Sequence, residues 1–140
     1  PAHPGQRLMS PKSPMVVLKD GQPFFATGSS GGITNPFFIM TNVLIWGKNF
    51  KMAQEAPRFR ITSSFYTGWG MGSPGAANTV HIENRIDASV ARELTRRGYR
   101  IEWLAPFSMR NAQIVGVDLK TGIRYGASDP RGEGLAAGIN

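Results

Sequence analysis

Met15-Val16-Val17-Leu18-Lys19-Asp20-Gly21-Gln22-Pro23-Phe24-Phe25-Ala26-Thr27, then Gly28-Ser29-Ser30-Gly31-Gly32 and Thr34-Asn35-Pro36, is the stretch that decides the fold. Two apolar runs flank an Asp-Gly pair, residues that tolerate the positive φ of a tight turn, which predicts a hairpin. The glycine-rich segment after it leads straight to a helix start: Thr34 or Asn35 can cap, and Pro36, lacking an N–H, suits the first turn. The helix is expected over residues 35–46, with Gly47 ending it. Phe37, Phe38, Ile39, Met40, Val43, Leu44, Ile45 and Trp46 occupy most of its circumference, as in a helix buried between layers.

Outward from this stretch the pattern stays mixed. Residues 52–56 are a short helical segment stopped by Pro57, and residues 58–61 alternate polar and apolar as a strand with one exposed face does. Residues 62–78 carry Gly68, Gly70, Gly72, Pro74 and Gly75 with Phe65, Tyr66 and Trp69, a long loop whose aromatics pack locally or line a site, packing being favoured. Residues 79–83 alternate as a strand, and Asp87 is an acidic cap for an amphipathic helix running toward Gly98, a suitable glycine just past a helix end. Residues 99–104, 112–117 and 123–127 are further strand candidates, the last two joined around Lys120-Thr121-Gly122. Strands and helices interleaved by hairpins predict an α+β fold with antiparallel sheets, not a doubly wound parallel one.

The 140 residues, 41% of them apolar, are the size of one domain, and 17 Gly with 10 Pro imply many turns. The formal net charge of +7 would suit an acidic partner, but the cations are scattered. The tightest group, Arg96-Arg97 with Arg100, sits at a helix end, where positive charge stabilises the dipole. No zinc-finger spacing, RNP-like aromatic motif or basic helix accompanies the charge, so nucleic acid is not expected as a partner. Without cysteine there is neither a disulfide nor a thiolate metal site. No apolar run approaches the ~20 residues of a membrane span. Pro1-Ala2-His3-Pro4-Gly5 lacks the regions of a signal peptide and looks like sequence from within a longer protein.

Chemistry-bearing patterns are few. His3 and His81 are remote in sequence, which gives no ground for a Ser-His-Asp arrangement, and the nine carboxylates show no metal-ligand spacing; neither metal nor cofactor is expected. Gly28-Ser29-Ser30-Gly31-Gly32 sets unhindered backbone N–H groups beside the positive end of a helix dipole, a geometry suited to an anion or oxyanion, although such loops are commonly just tight turns. Ser10-Pro11-Lys12-Ser13-Pro14 offers hydroxyls and a cation for a carboxylate, or simply a proline-rich turn. Gly126-Ala127-Ser128-Asp129-Pro130-Arg131 can form an Asx-type turn, with Asp129 bonded to local backbone and Arg131 available for an ion pair.

Taken in order, these features resemble the end of the small subunit of the γ-glutamyltransferase (γ-glutamyltranspeptidase) family, over nearly the whole chain. Ser10 to Pro14 with the first hairpin is similar to the family's serine-rich loop, and Thr27-Gly28-Ser29-Ser30-Gly31-Gly32 to its T-G-S-P-G-G loop. Ala56-Pro57-Arg58-Phe59 resembles the A-P-R-F segment after the buried helix, and Tyr125-Gly126-Ala127-Ser128-Asp129-Pro130-Arg131 the terminal signature. The resemblance implies part of an αββα Ntn-hydrolase sandwich, cut from a self-cleaving precursor, whose freed threonine attacks γ-glutamyl amides with its own amine as base. It further implies an oxyanion hole at Gly31 and Gly32 and a substrate-carboxylate contact at Ser10. The family's second serine is Pro11 here, which has no side-chain donor; Lys12 is the neighbouring cation that would compensate.

The matched segment lies downstream of the family's nucleophilic threonine, so the expected partners are the rest of the precursor, its large subunit and the earlier part of its small subunit, together with a γ-glutamyl small molecule. The 140 residues alone are expected to be inactive and to self-associate, and the resemblance implies a periplasmic or extracellular setting. The alternatives are a related acylase with another carboxylate-bearing substrate, which Pro11 keeps open, and a non-catalytic relative or basic binding module, favoured by Pro11 and by the charge of +7.

Overall fold

A computed structural model of the chain describes residues 3–5, 13–30, 34–62 and 78–138. They form two compact units, one of residues 1–54 with 110–140, the other of residues 55–109.

In the first unit, Asp20 and Gly21 both have positive φ, 52° and 76°. This is the left-handed turn that matches the twist of paired strands, and it joins β1 (Met15–Lys19) to β2 (Gln22–Ser29) in an antiparallel hairpin. Val17 pairs with Phe25 but Leu18 with Pro23, leaving Phe24 as the extra residue of a bulge. β2 pairs with β6 (Ala112–Val117), and β6 with β7 (Arg124–Ser128), completing an antiparallel sheet in the order β1-β2-β6-β7.

Helix α1 (Thr34–Leu44) lays Ile39 against Phe25, Ala112 and Ile114, with Val17, Met40, Val43 and Ala127 around them. Burial of a side chain such as Ile39 contributes about 1.5–3 kcal/mol. Phe50, on the short α2 (Phe50–Glu55), closes the cluster with its ring 5.8 Å from that of Phe25. A Cβ on Gly116 would lie 2.5 Å from the Phe50 ring, so this close approach requires glycine.

Two expectations about α1 are corrected. It buries one face only, through Asn35, Pro36, Phe38, Ile39 and Asn42, while Phe37 and Leu44 are exposed. Ile45 and Trp46 belong to the turn after the helix and are also exposed, Trp46 by 63%. Apolar residues around the whole circumference thus meet a single layer among the described residues.

In the second unit, β3 (Phe59–Thr62) pairs antiparallel with β4 (Thr79–Glu83), and β4 pairs parallel with β5 (Arg100–Leu104). This one parallel pair was not foreseen; it is the strand-helix-strand crossover through α3 (Ala88–Arg96). Val80, Ile82 and Ala91 form its core, with Ile86, Leu94, Tyr99 and Ile101 against them. The expected alternation along β4 fails for a physical reason: it is the central strand, and polar Thr79 and Glu83 are as buried as Val80 and Ile82. Asp87 caps α3 as expected, accepting from Ser89 N at 2.7 Å. No helix among the described residues is long and apolar enough to cross a membrane.

Candidate functional site

Gly31, Gly32 and Ser10, the residues singled out for substrate chemistry, lie outside the described residues, as do Pro11 and Lys12. What the structure describes is the frame on both sides of the glycine pair. The last residues of β2 and the turn residue Ser30 lead in, and α1 leads out from Thr34. Only residues 31–33 lie between these two ends.

Both ends are tied to one dipeptide. The Ser29 hydroxyl donates to Asn111 O at 2.7 Å and the Ser30 hydroxyl to Asn111 Oδ1 at 2.7 Å. From the helix side, Asn35 Nδ2 donates to Arg110 O at 2.6 Å and to Ser29 Oγ at 2.9 Å. Asn35 is therefore no cap for α1: it lies inside the helix, and its buried amide ties the first turn back to β2 and to the residues before β6. Deeper in the sheet, the Thr27 hydroxyl donates to Gln113 O at 2.8 Å. The eleven-residue helix α1 thus starts beside the end of β2, with the two joined by the hydrogen bond from Asn35 to Ser29.

β6 is itself anchored. Asp129, 1% exposed, accepts from Ala112 N through Oδ2 at 2.8 Å and from Arg131 N through Oδ1 at 3.0 Å. Arg131 Nη1 lies 3.1 Å from the same Oδ1 and donates to Gln54 O at 2.8 Å. The Asx-type turn and the ion pair read from the terminal signature are both present, and the role is architectural.

A second buried carboxylate organises the other unit. Glu83, fully buried, accepts from Arg58 N at 3.2 Å and Met109 N at 3.4 Å, with Arg85 Nη2 3.6 Å from Oε2. Arg85 also donates to Glu55 O and stacks its guanidinium 3.7 Å above the Phe107 ring. His81 Nδ1 lies 3.2 Å from Glu102 Oε2 across the β4–β5 pair. Sequence reading missed Asn111, Asn35 and Glu83 as organisers. The partners of Asn111 stand 81 and 82 positions away, and no local pattern marks it.

The architecture is that of an Ntn hydrolase, an α+β fold with antiparallel-rich sheets. A solved Helicobacter pylori γ-glutamyltranspeptidase variant superposes with a TM-score of 0.74 at 30% identity, over 94% of this chain and 66% of that one. The γ-glutamyltranspeptidase family model matches residues 2–139, and the chain belongs to that family. A curated relative, the glutathione hydrolase proenzyme of Escherichia coli, is 30% identical over 139 residues, 96% of this chain and 21% of that protein. The chain thus spans about a fifth of that relative's length. A solved cephalosporin acylase from Bacillus halodurans is also similar, with a TM-score of 0.75 at 26% identity over 91% of this chain and 22% of that one.

Proposed function

We propose that this chain is the C-terminal part of a γ-glutamyltransferase or hydrolase acting on glutathione-like γ-glutamyl amides, in a periplasmic or extracellular setting. In this reading the nucleophilic threonine lies in the rest of the precursor. Its hydroxyl attacks the amide carbonyl carbon while its own amine takes the proton. The carbonyl oxygen becomes an oxyanion held by backbone N–H donors of Gly31 and Gly32, and collapse expels the amine, which leaves with a proton. Water or a second amine then takes the acyl group from the threonine ester. Ser10 donates to the substrate carboxylate.

The observation that carries this reading is the frame around residues 31–33: Ser29, Ser30 and Asn35 bind both ends to Arg110 and Asn111. Preorganised donors are what an oxyanion hole needs, since they stabilise charge without reorganising as it forms. The test is steady-state hydrolysis of a γ-glutamyl anilide by the full-length protein. Gly31→Pro and Gly32→Pro each delete one N–H, and each is expected to lower kcat about 10²–10³-fold. Wild-type kinetics in both would remove these glycines from the chemistry.

Pro11 favours a second reading, an acylase for a different carboxylate-bearing amide, because proline cannot give the second hydroxyl that the resemblance implies. A panel of acyl amides decides: preference for a non-γ-glutamyl acyl group, shifted toward γ-glutamyl by Pro11→Ser, selects the acylase.

A further inference from the structure

The chain enters the second unit at Glu55 and leaves it at Met109. β3 runs antiparallel to β4 and β5 runs parallel to it, so β3 begins and β5 ends beside the same end of β4, the end at Glu83. Strand pairing alone sets β3 and β5 about 9–10 Å apart on either side of β4. It fixes neither of the segments beyond them, residues 55–58 before β3 and residues 105–109 after β5. Residues 83–85 hold both. Each oxygen of the buried Glu83 carboxylate takes one side: Oε2 accepts from Arg58 N at 3.2 Å and Oε1 from Met109 N at 3.4 Å. Glu83 N returns a bond to Arg58 O at 3.0 Å, and Asn84 N donates to Leu104 O at 2.9 Å. The Arg85 guanidinium repeats the division, its edge donating to Glu55 O and its face lying 3.7 Å from the centre of the Phe107 ring.

We propose that Glu83 and Arg85 form a clasp that closes the second unit where the chain enters and leaves it, so that the entry and exit segments open together as one latch and not as two independent loops. This role does not depend on the substrate. The exit segment is strained at Phe107, whose φ of 55° lies in the left-handed region that a bulky side chain avoids. Such a backbone persists where its surroundings over-determine it. Here the Phe107 ring is stacked on Arg85, Ser108 Oγ donates to Ala105 O at 2.7 Å, and Met109 N is bonded to Glu83. Loss of the stack removes a restraint on that strain, so the exit segment relaxes and draws Met109 N away from Oε1. A buried carboxylate that loses a donor is penalised for the oxygen left unmatched. The entry contacts on the same side chain then become easier to break, which couples the two sides.

Hydrogen exchange of the full-length protein, read by mass spectrometry in peptides covering residues 55–58 and 105–109, tests the clasp, because exchange reports the equilibrium of local opening. Phe107→Leu alters the exit side and is expected to speed exchange about tenfold in both peptides. Arg85→Met should do the same, and the double variant should exchange no faster than Arg85→Met, because the stack is lost once. Residues 88–96 of α3 should keep wild-type rates in every variant, since the opening is local. Should Arg85→Met fold poorly, Arg85→Lys gives the same reading, as it keeps the charge and loses the flat guanidinium. Acceleration confined to residues 105–109 in Phe107→Leu, or wild-type rates in both peptides when Arg85 is replaced, overturns the clasp. Equal acceleration in residues 88–96 also overturns it, since the loss would then be one of global stability.

Discussion

Asp129 meets two backbone N–H groups and a guanidinium in a place that water does not reach, and both its side chain and that of Arg131 are fully buried. An ion pair in such a place depends on having both partners, because the survivor keeps its burial and loses the opposite charge it faces. Removing one partner of a buried pair costs about 3–5 kcal/mol. Asp129→Ala is expected to lose stability in that range, and Asp129→Asn less, since it keeps oxygen acceptors for part of the network. The urea midpoint checks this, with an unchanged slope as the sign that only stability moved. The half of the node that is local was legible in the sequence, because an Asx turn closes on the residue two positions on. The bond to Ala112 N spans 17 positions, and nothing in the chain announces it. Asn111 and Glu83 were illegible for the same reason: an isolated Asn or Glu is spelled alike whether it organises a loop or faces solvent.

At the scale of elements, α3 is a nine-residue helix held at both ends by its own charges. The Ser89 hydroxyl and N–H hold the Asp87 carboxylate below its ordinary range at the first turn. At the last turn, Arg96 and Arg97 donate to Glu93 at 2.8 Å and hold its carboxyl down, from 4.5 to about 2. A carboxylate whose folded pKa is depressed stabilises the fold fully above its unfolded value and loses that contribution as pH falls through the folded one. The stability difference between wild type and Glu93→Gln is therefore expected to be constant well above pH 4.5, to shrink as pH falls below it, and to vanish once pH has fallen through about 2. The pair is surface-exposed, so the difference should also fade in high salt. Stability measured against pH at two ionic strengths checks both statements; a difference independent of pH would show the arginines act elsewhere. α3 was legible because its cap, its charges and its terminal glycine are all local. Burial of α1 and the parallel β4–β5 pairing were not, since apolar periodicity names a face but not what covers it, and strand direction depends on the path of the intervening helix.

At the scale of the whole molecule, apolar surface remains on both the sheet and the helix of the first unit. Val16, Ala26 and Val115 line up across β1, β2 and β6, and Val16 is 67% exposed. Phe37, Leu44, Ile45 and Trp46 are exposed along and beyond α1. β1 and β7 stand at the sheet's margins, and among the described residues no strand pairs with their outer edges. Contiguous apolar patches and open strand edges drive association in water. If the rest of a precursor covers these surfaces, as the proposed function requires, the 140 residues produced alone will self-associate in a concentration-dependent way and will cleave no γ-glutamyl anilide. Val16→Lys with Val115→Lys should weaken that association, because both side chains project from a face that contributes nothing to the Phe25–Ile39–Ile114 core. Sedimentation velocity over a concentration series is the check. A cooperative, monomeric 140-residue protein would mean that these faces need no cover, and anilide hydrolysis by it would place the nucleophile within this chain.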